Sequence, residues 1–248
     1  MKYLRAEPPS LSRSRVSRYE LLIYLLRIML HLIMKLILAS GSERRRELLS
    51  WIGIPFEIVI SDFDEGSVHE RNPEKLVERL ALEKARAVAE RIQKSEVRSQ
   101  KREQSLVIGA DTVVRVDHET IGKPKDEKDA ARILRKLSGT THVVFTGVAV
   151  VNAHSGESFV EAEKTRVTFR KLKEAEIRAY VASGEPLDKG GGYAIQMGAK
   201  GFVTSVEGSF TNVVGLPLLT LTGLLEKHGY QVRNTVSEIL FEKTGYRS

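Results

Sequence analysis

The chain reads as an α/β protein built on a mixed β-sheet flanked by helices. Three observations predict this. Short apolar runs of strand type alternate with segments of helical, 3.6-residue periodicity. Two long apolar runs, HVVFTGVAVV and FVEAEKTRVTF, flank the turn sequence NAHSGES and read as a hairpin. No internal repeat or low-complexity stretch breaks the pattern. Helices interleaved with hairpins favour a mixed sheet over a purely parallel one.

Residues 1–34 stand outside this pattern. Met1 to Arg18 is rich in Arg, Ser and Pro, and LLIYLLRIMLHLIM follows from Leu21 to Met34. That run is 14 residues long and contains Arg27 and His31. A spanning helix needs about 20 apolar residues, so no membrane span is expected. No small-residue cleavage site follows it. The segment is expected to be a non-core extension, helical in part, or translated sequence upstream of a start at Met34.

The core elements follow in order. Leu36–Ala39 is a short strand, and a helix from about Glu43 to Trp51 ends near Gly53 with Pro55 beyond. Phe56–Ser61 reads as a second strand, SDFDEG as an acidic loop, and Pro73 to about Gln93 as a long helix. Lys94–Ser105 is charged, lacks apolar periodicity, and reads as a solvated loop or helix end. Leu106–Val114 is a buried strand interrupted by Asp111, with a turn at Asp117–Glu119 after it. Asp126–Leu137 and Lys173–Ser183 are helical, the second closed by Gly184. After the glycine-rich DKGGGYAIQ, Pro217 starts an apolar helix that ends at Gly229. The expected organisation is an extension (1–34), a core domain (35–229) and a C-terminal tail (230–248).

A length of 248 residues suits one large domain or two small lobes. The composition, 42% apolar and 29% charged, is that of an ordinary soluble globular protein. Having no cysteine, the chain can form neither disulfides nor thiolate metal sites. That suits a reducing compartment, and a cytoplasmic location is expected. The six histidines are scattered without metal-ligand spacing, which argues against zinc. Of the net charge of +7, +5 falls in residues 1–35. The basic balance therefore says little about the core, and no stable nucleic-acid partner is expected.

Several residues stand out chemically. In ASGSERRR, Ser40 and Ser42 occupy a strand-to-helix turn, and the free N–H groups of such a helix start favour an anion. Arg44 lies one turn before Leu48 and Arg45 one turn before Leu49, so both share the inward side, whereas Arg46 faces water. Two guanidinium forks there suit phosphate, although a solvated basic turn would read alike. Lys84 lies on the apolar face made by Val77, Leu80, Ala81 and Val88, where a buried ammonium needs an anionic partner unless it snorkels to water. Asp111 falls where an inner strand should end, a position that suits proton abstraction, metal binding or turn capping. Asp62, Asp64 and Glu65 offer hard oxygen ligands of the kind Mg²⁺ accepts. Lys123 precedes Pro124 in an extended segment, and Gln196 follows the flexible glycine run. No GxxxxGK[ST] and no GxGxxG after a strand is present, so any phosphate recognition rests on dispersed arginines and lysines.

Together SGSERR, SDFDE, LALEKA, GADTVV, GKP, LSGTTHVVFTGVAVV, DKGGGYAIQ and EGSFTNVVGLPL resemble the Maf family of nucleoside triphosphate pyrophosphatases, in order and spacing, from Leu36 to about Gly229. The resemblance implies an elongated mixed sheet with helices and an active-site cleft between two lobes. It implies cleavage of a nucleoside triphosphate between the α and β phosphates, a divalent cation (Mg²⁺ or Mn²⁺), and a homodimer. Ser40, Arg44 and Arg45 then fall on the phosphate-binding turn, and Glu65, Lys84 and Lys123 on charged cleft positions. Asp111 matches the proposed general base, with Asp111 and Glu65 as the carboxylates for the metal. Arg45 or Arg44, Thr112 and Gln196 match positions linked to substrate choice. Thr112 and Gln196 resemble the branch that cleaves dTTP and UTP rather than the 7-methyl-GTP branch.

The chain departs from the family at Glu43, where proline is common, at Met197, where glycine is common, and at Thr140, where arginine is frequent. The charged segment 94–105 also looks longer than usual. Two alternatives stay open at this stage. One is a pyrophosphatase for 7-methyl-GTP or another modified nucleotide, and the other is a non-catalytic nucleic-acid-binding or cell-division regulator.

Overall fold

The computed structural model describes residues 34–99 and 104–232. The N-terminal extension before Met34 and the tail beyond residue 232 lie outside the described residues. The strands are β1 (Met34–Leu38), β2 (Phe56–Ile58), β3 (Gln104–Val116), β4 (Glu119–Ile121), β5 (Thr141–Asn152), β6 (Ser158–Phe169) and β7 (Val203–Glu207). The helices are α1 (Glu43–Trp51), α2 (Pro73–Ser99), α3 (Glu127–Leu137), α4 (Glu174–Ala182), α5 (Phe210–Val214) and α6 (Leu218–Lys227). One sheet runs in the order β2-β1-β3-β5-β6-β7, with β4 also pairing β3. β1 is parallel to both neighbours and the other pairs are antiparallel, so the sheet is mixed as expected.

Period-2 alternation along β3 divides the core. Leu106, Ile108, Ala110 and Val114 join the larger cluster with α1, α3, α4 and α6, while Val107 faces Ala81, Ala85 and Val88 of α2. Asp111 follows the α2 side of this alternation and Thr112 the opposite side. Helix α2 can lie close on the sheet only because two strand residues lack side chains. A Cβ on Gly109 would stand 2.1 Å from the Ala81 carbonyl oxygen, and one on Gly147 2.2 Å from that of Val77. This contact sets the depth of Lys84, one turn beyond Ala81.

The cleft begins as a gap in the sheet. β1 accompanies β3 from Gln104 to Ile108, and the Ala39 N–H makes the last bond to the Ile108 carbonyl at 2.8 Å. β4 takes up the same edge at Val114. On the other edge β5 pairs without interruption from Leu106 to Arg115. Residues 109–113 therefore have a strand neighbour on one side only, and the chain leaving β1 turns there into α1. The expected division into two lobes takes this form, with β1 and β2 beside one half of β3 and β4 beside the other.

Several elements differ from expectation. α2 runs to Ser99 rather than ending near Gln93. Residues 94–99 carry no Gly or Pro, so nothing in their sequence breaks the helix. Residues 100–103 lie outside the described part. β2 stops at Ile58, short of Ser61, because β1 ends and leaves it no partner beyond the bond from Val59 N–H to the Leu38 carbonyl at 3.1 Å. The short elements β4, β7 and α5 were not anticipated, since three to five residues hold too little periodicity to reveal them. Beyond α6, Tyr230 is buried and Val232 packs on the main core.

Candidate active site

α1 starts at Glu43, four residues after the Ala39 of the Ala39–Ile108 bond, so its first turn opens directly onto the gap. Ser40 is buried, and its Oγ accepts from the Ser42 N–H at 3.2 Å, shaping the turn. Ser42 occupies the N-cap position but its side chain makes no cap bond, so the first N–H groups of α1 lack that internal acceptor. Arg45 points inward. Its Nε donates to the Gly215 carbonyl at 2.8 Å and its second guanidinium nitrogen donates to Thr112 Oγ1 at 3.1 Å. Thr112 Oγ1 lies 3.0 Å from Thr146 Oγ1, which donates to the Asn212 carbonyl at 2.9 Å. Each hydroxyl has one proton, so donation runs in one direction, from Arg45 through Thr112 and Thr146 to the backbone of α5. Asn212 is itself fixed, its amide donating to the Val144 carbonyl and to Thr165 Oγ1.

On the α2 side of β3, Lys84 Nζ donates to Asp111 Oδ1 at 2.6 Å and pairs with Glu65 Oε1 at 2.7 Å. Lys84 and Asp111 are buried, while Glu65 is half exposed on a 3₁₀ turn whose N-cap, Asp64, accepts from Gly66 N–H at 3.0 Å. The buried ammonium thus finds the anionic partner its place on the helix demanded. Desolvation works to raise the Glu65 carboxyl, but the hydrogen bond and charge of Lys84, with Lys123 and Arg45, hold it below its ordinary value.

These groups line one cleft of about 510 Å³. Its lining carries the cations Arg44, Arg45, Lys84, Lys123 and Lys189 and the acids Glu43, Glu65, Asp111 and Asp188. Burial is the largest influence on Arg45 and pushes it down, against the pull of Asp111 and Glu65. Burial also lowers Arg44, and the neighbouring Arg45 adds to the effect. Both guanidiniums stay protonated. Two like charges held side by side, partly out of water, favour an anion between them. Arg46 is exposed and pairs with Glu43 Oε1 at 3.4 Å.

Of the residues singled out in the sequence, Ser40, Arg44, Arg45, Glu65, Lys84, Asp111, Thr112 and Lys123 converge here. Gln196 is half-buried and outside the cleft lining, and its neighbour Met197 faces the cleft instead. Asp62 and Asp64 stay at the surface. Sequence reasoning assigned no role to Thr146, Gly215 or Lys189. Lys189 is buried in the cleft wall and pairs with Asp188. Its signal was a lysine directly before a glycine run, and Gly190 passes so close that a Cβ would stand 2.8 Å from the Thr112 carbonyl oxygen. Among the described residues no three His, Cys, Asp or Glu side chains cluster as a metal cage.

A mixed α/β sheet opened at one edge, with a helix start, paired arginines and a lysine-held aspartate around the opening, defines a protein that receives a polyanion. The profile of the family described as Maf-like protein matches residues 35–228, and the chain belongs to that family, as the sequence motifs implied. It is 48% identical over 198 residues to a dTTP/UTP pyrophosphatase of Pelotomaculum thermopropionicum, covering 80% of this chain and 98% of the relative. It is 49% identical over 194 residues to one of Geotalea uraniireducens, covering 78% and 95%. A dTTP/UTP pyrophosphatase of Symbiobacterium thermophilum is 46% identical over 198 residues, covering 80% and 96%.

Proposed function

We propose that the chain is a nucleoside triphosphate pyrophosphatase acting on dTTP and UTP, and on related modified pyrimidine nucleotides, in the cytoplasm. The observation that carries this is the cleft itself. Phosphate-binding cations ring a buried aspartate that a lysine holds in place. The names of the relatives supply the nucleotide, and the geometry supports the chemistry.

In this reading the first turn of α1 and the guanidiniums of Arg44 and Arg45 bind the phosphate chain, with Lys123 and Lys189 flanking it. The new bond joins a water oxygen to the α phosphorus. The bond from that phosphorus to the bridging oxygen breaks, and pyrophosphate leaves with the electron pair. Asp111 takes a proton from the attacking water, and Lys84 holds its carboxylate in place. Lys84 and the arginines offset the charge that grows on the leaving pyrophosphate.

The donor set also fits a divalent cation. The Asp111 and Glu65 carboxylates already converge on one positive charge, 2.6 and 2.7 Å from Lys84 Nζ. Mg²⁺ is commonly held by one or two carboxylates together with substrate phosphates, so these two residues would hold it with the nucleotide completing the set. When bound, Mg²⁺ or Mn²⁺ would lower the pKa of water and neutralise phosphate charge. A homodimer completes the proposal.

The test is release of pyrophosphate from a panel of dTTP, UTP, GTP and 7-methyl-GTP with Mg²⁺ or Mn²⁺, run in ¹⁸O-labelled water. Pyrophosphate and labelled monophosphate from dTTP and UTP are expected. Release of orthophosphate, label in the pyrophosphate, or inertness toward every triphosphate refutes the reading. Preferential cleavage of 7-methyl-GTP favours the alternative substrate.

A further inference from the structure

The two most exposed large apolar side chains among the described residues are Ile60, at 65%, and Met197, at 53%. Both line the cleft, whose remaining lining is charged, polar or small apart from the buried Val213 and Val214. They reach it from different segments. Ile60 follows β2, beside the Ser40–Ser42 turn, and its Cδ1 would touch a Cβ on Gly41 at 3.5 Å. Met197 comes from the loop that packs, through Gly190 and Gly191, against Thr112 and Val114 of β3.

Met197 is presented by a pinned turn. The Ala194 N–H donates to the Tyr180 hydroxyl at 3.1 Å, and that hydroxyl donates to Glu185 Oε1 at 2.6 Å. The Gly198 N–H donates to the same carboxylate, 3.2 Å from each oxygen. A Cβ on Gly198 would stand 2.8 Å from Tyr180 Cε2, so the backbone is pressed against the ring. Burial and the Glu185 carboxylate push the Tyr180 hydroxyl well above its ordinary value, so it remains a donor. Residues 194 and 198 are thereby tied to α4 and the turn after it, while the side chain between them projects into the cleft.

Exposed apolar side chains scattered singly need no explanation. Two in one charged cleft, one of them on a braced turn, do need one. We propose that Met197 is a specificity-determining residue that packs on the ring of the substrate's base, with Ile60 as the second apolar contact. The thioether takes up space that glycine would leave open, so the site favours a pyrimidine over the larger purine. Tyr180 and Glu185 act as positioning residues for this contact. The inference rests on the hydrolase reading above and deepens it.

The test compares kcat/KM for UTP and GTP in the native chain, Met197→Gly and Met197→Leu, together with inhibition by inorganic tripolyphosphate. Met197→Gly is expected to lower kcat/KM for UTP about three- to tenfold, through KM, in line with a lost sulfur–ring contact. GTP cleavage is unchanged or improved, so the UTP-to-GTP ratio falls. Met197→Leu keeps the ratio within about twofold of native, because it conserves volume. Tripolyphosphate, which has no base, inhibits all three equally. An active native chain whose ratio Met197→Gly leaves unmoved overturns the base contact alone, as does an equal loss of tripolyphosphate inhibition. A native chain inert toward every triphosphate refutes the hydrolase reading instead.

Discussion

Lys84 Nζ and Asp111 Oδ1 meet at 2.6 Å across the interface between helix α2 and strand β3, with 10% and 11% of their side chains exposed. The pair is buried but not sealed. Glu65 reaches the same ammonium at 2.7 Å from a half-exposed turn. Removing two charges from water is costly, and such pairs often contribute little net stability. This one also lies at the sheet-edge gap that forms the cleft, where its value is the placement of a carboxylate.

Asp111→Asn separates that placement from the fold. The amide oxygen still accepts from Lys84, and Glu65 still balances the charge. Pyrophosphate release is therefore expected to fall at least about 100-fold, the scale of a lost general base. The urea midpoint should stay close to native. Normal turnover by the variant would remove Asp111 from the mechanism.

Thr112→Val keeps the shape of β3 but breaks the relay from Arg45 to α5. Arg45 retains the Gly215 carbonyl at 2.8 Å and loses its second anchor, and Thr146 loses the hydroxyl beside it. A displaced guanidinium should weaken triphosphate binding by about 1.4 kcal/mol, a tenfold rise in KM. Steady-state kinetics on UTP check this. An unchanged KM would show that the relay does not position Arg45 for substrate.

Gly109→Ala tests how the sheet sets the depth of Lys84. The added methyl would stand 2.1 Å from the Ala81 carbonyl oxygen and 3.0 Å from Ala85 Cβ, with no flexible neighbour to yield. α2 must lift. A loss of about 1–3 kcal/mol or more is expected, the usual cost of overpacking, and activity should fall with it as Lys84 moves from Asp111. Gly147→Ala should destabilise similarly, since it meets the Val77 carbonyl at 2.2 Å. Thermal melts of both variants give the answer.

Much of this was legible in the sequence, for physical reasons. Helical spacing alone separated Arg44 and Arg45 from the outward Arg46, because direction repeats every 3.6 residues. Lys84 stood out because an ammonium on an apolar face needs a partner. What the sequence could not show was distance across the chain. Thr146 and Gly215 are ordinary residues whose roles exist only because the fold brings Gly215 to Arg45 and Thr146 to Thr112. Gln196 and Met197 show the same limit at one position. A glutamine amide can read a base edge, but sequence alone gives no sign that the turn pinned by Glu185 also presents the Met197 thioether to the cleft.

Chelation offers a test of the carboxylate pair. If Asp111 and Glu65 hold a divalent ion with the substrate phosphates, EDTA should abolish pyrophosphate release and added Mg²⁺ or Mn²⁺ should restore it. Glu65→Gln should raise the Mg²⁺ concentration needed for half-maximal rate, with little effect on stability because the side chain is half exposed. An unshifted Mg²⁺ requirement would take Glu65 out of the metal site.

Acid sensitivity should trace in part to His142, which is not among the residues lining the cleft. Its ring is buried, with Nε2 2.7 Å from the Tyr193 hydroxyl and the Phe169 ring edge-on at 5.0 Å. Among the described residues Nδ1 has no partner. Protonation would place an N–H on both nitrogens and leave one donor buried without an acceptor. Burial accordingly pushes the pKa down from 6.5 to about 4. The unfolded chain titrates near ~6.5, so between about pH 6.5 and 4 it binds a proton that the folded chain refuses. Stability must then fall with pH across that window and level off below it, by at most about 3 kcal/mol from this residue. His142→Gln cannot titrate, and its amide can still meet the Tyr193 hydroxyl. Urea unfolding from pH 7 to 4 should therefore show the native advantage over the variant shrinking as acid is added. Parallel curves would mean that the acid response comes from elsewhere in the molecule.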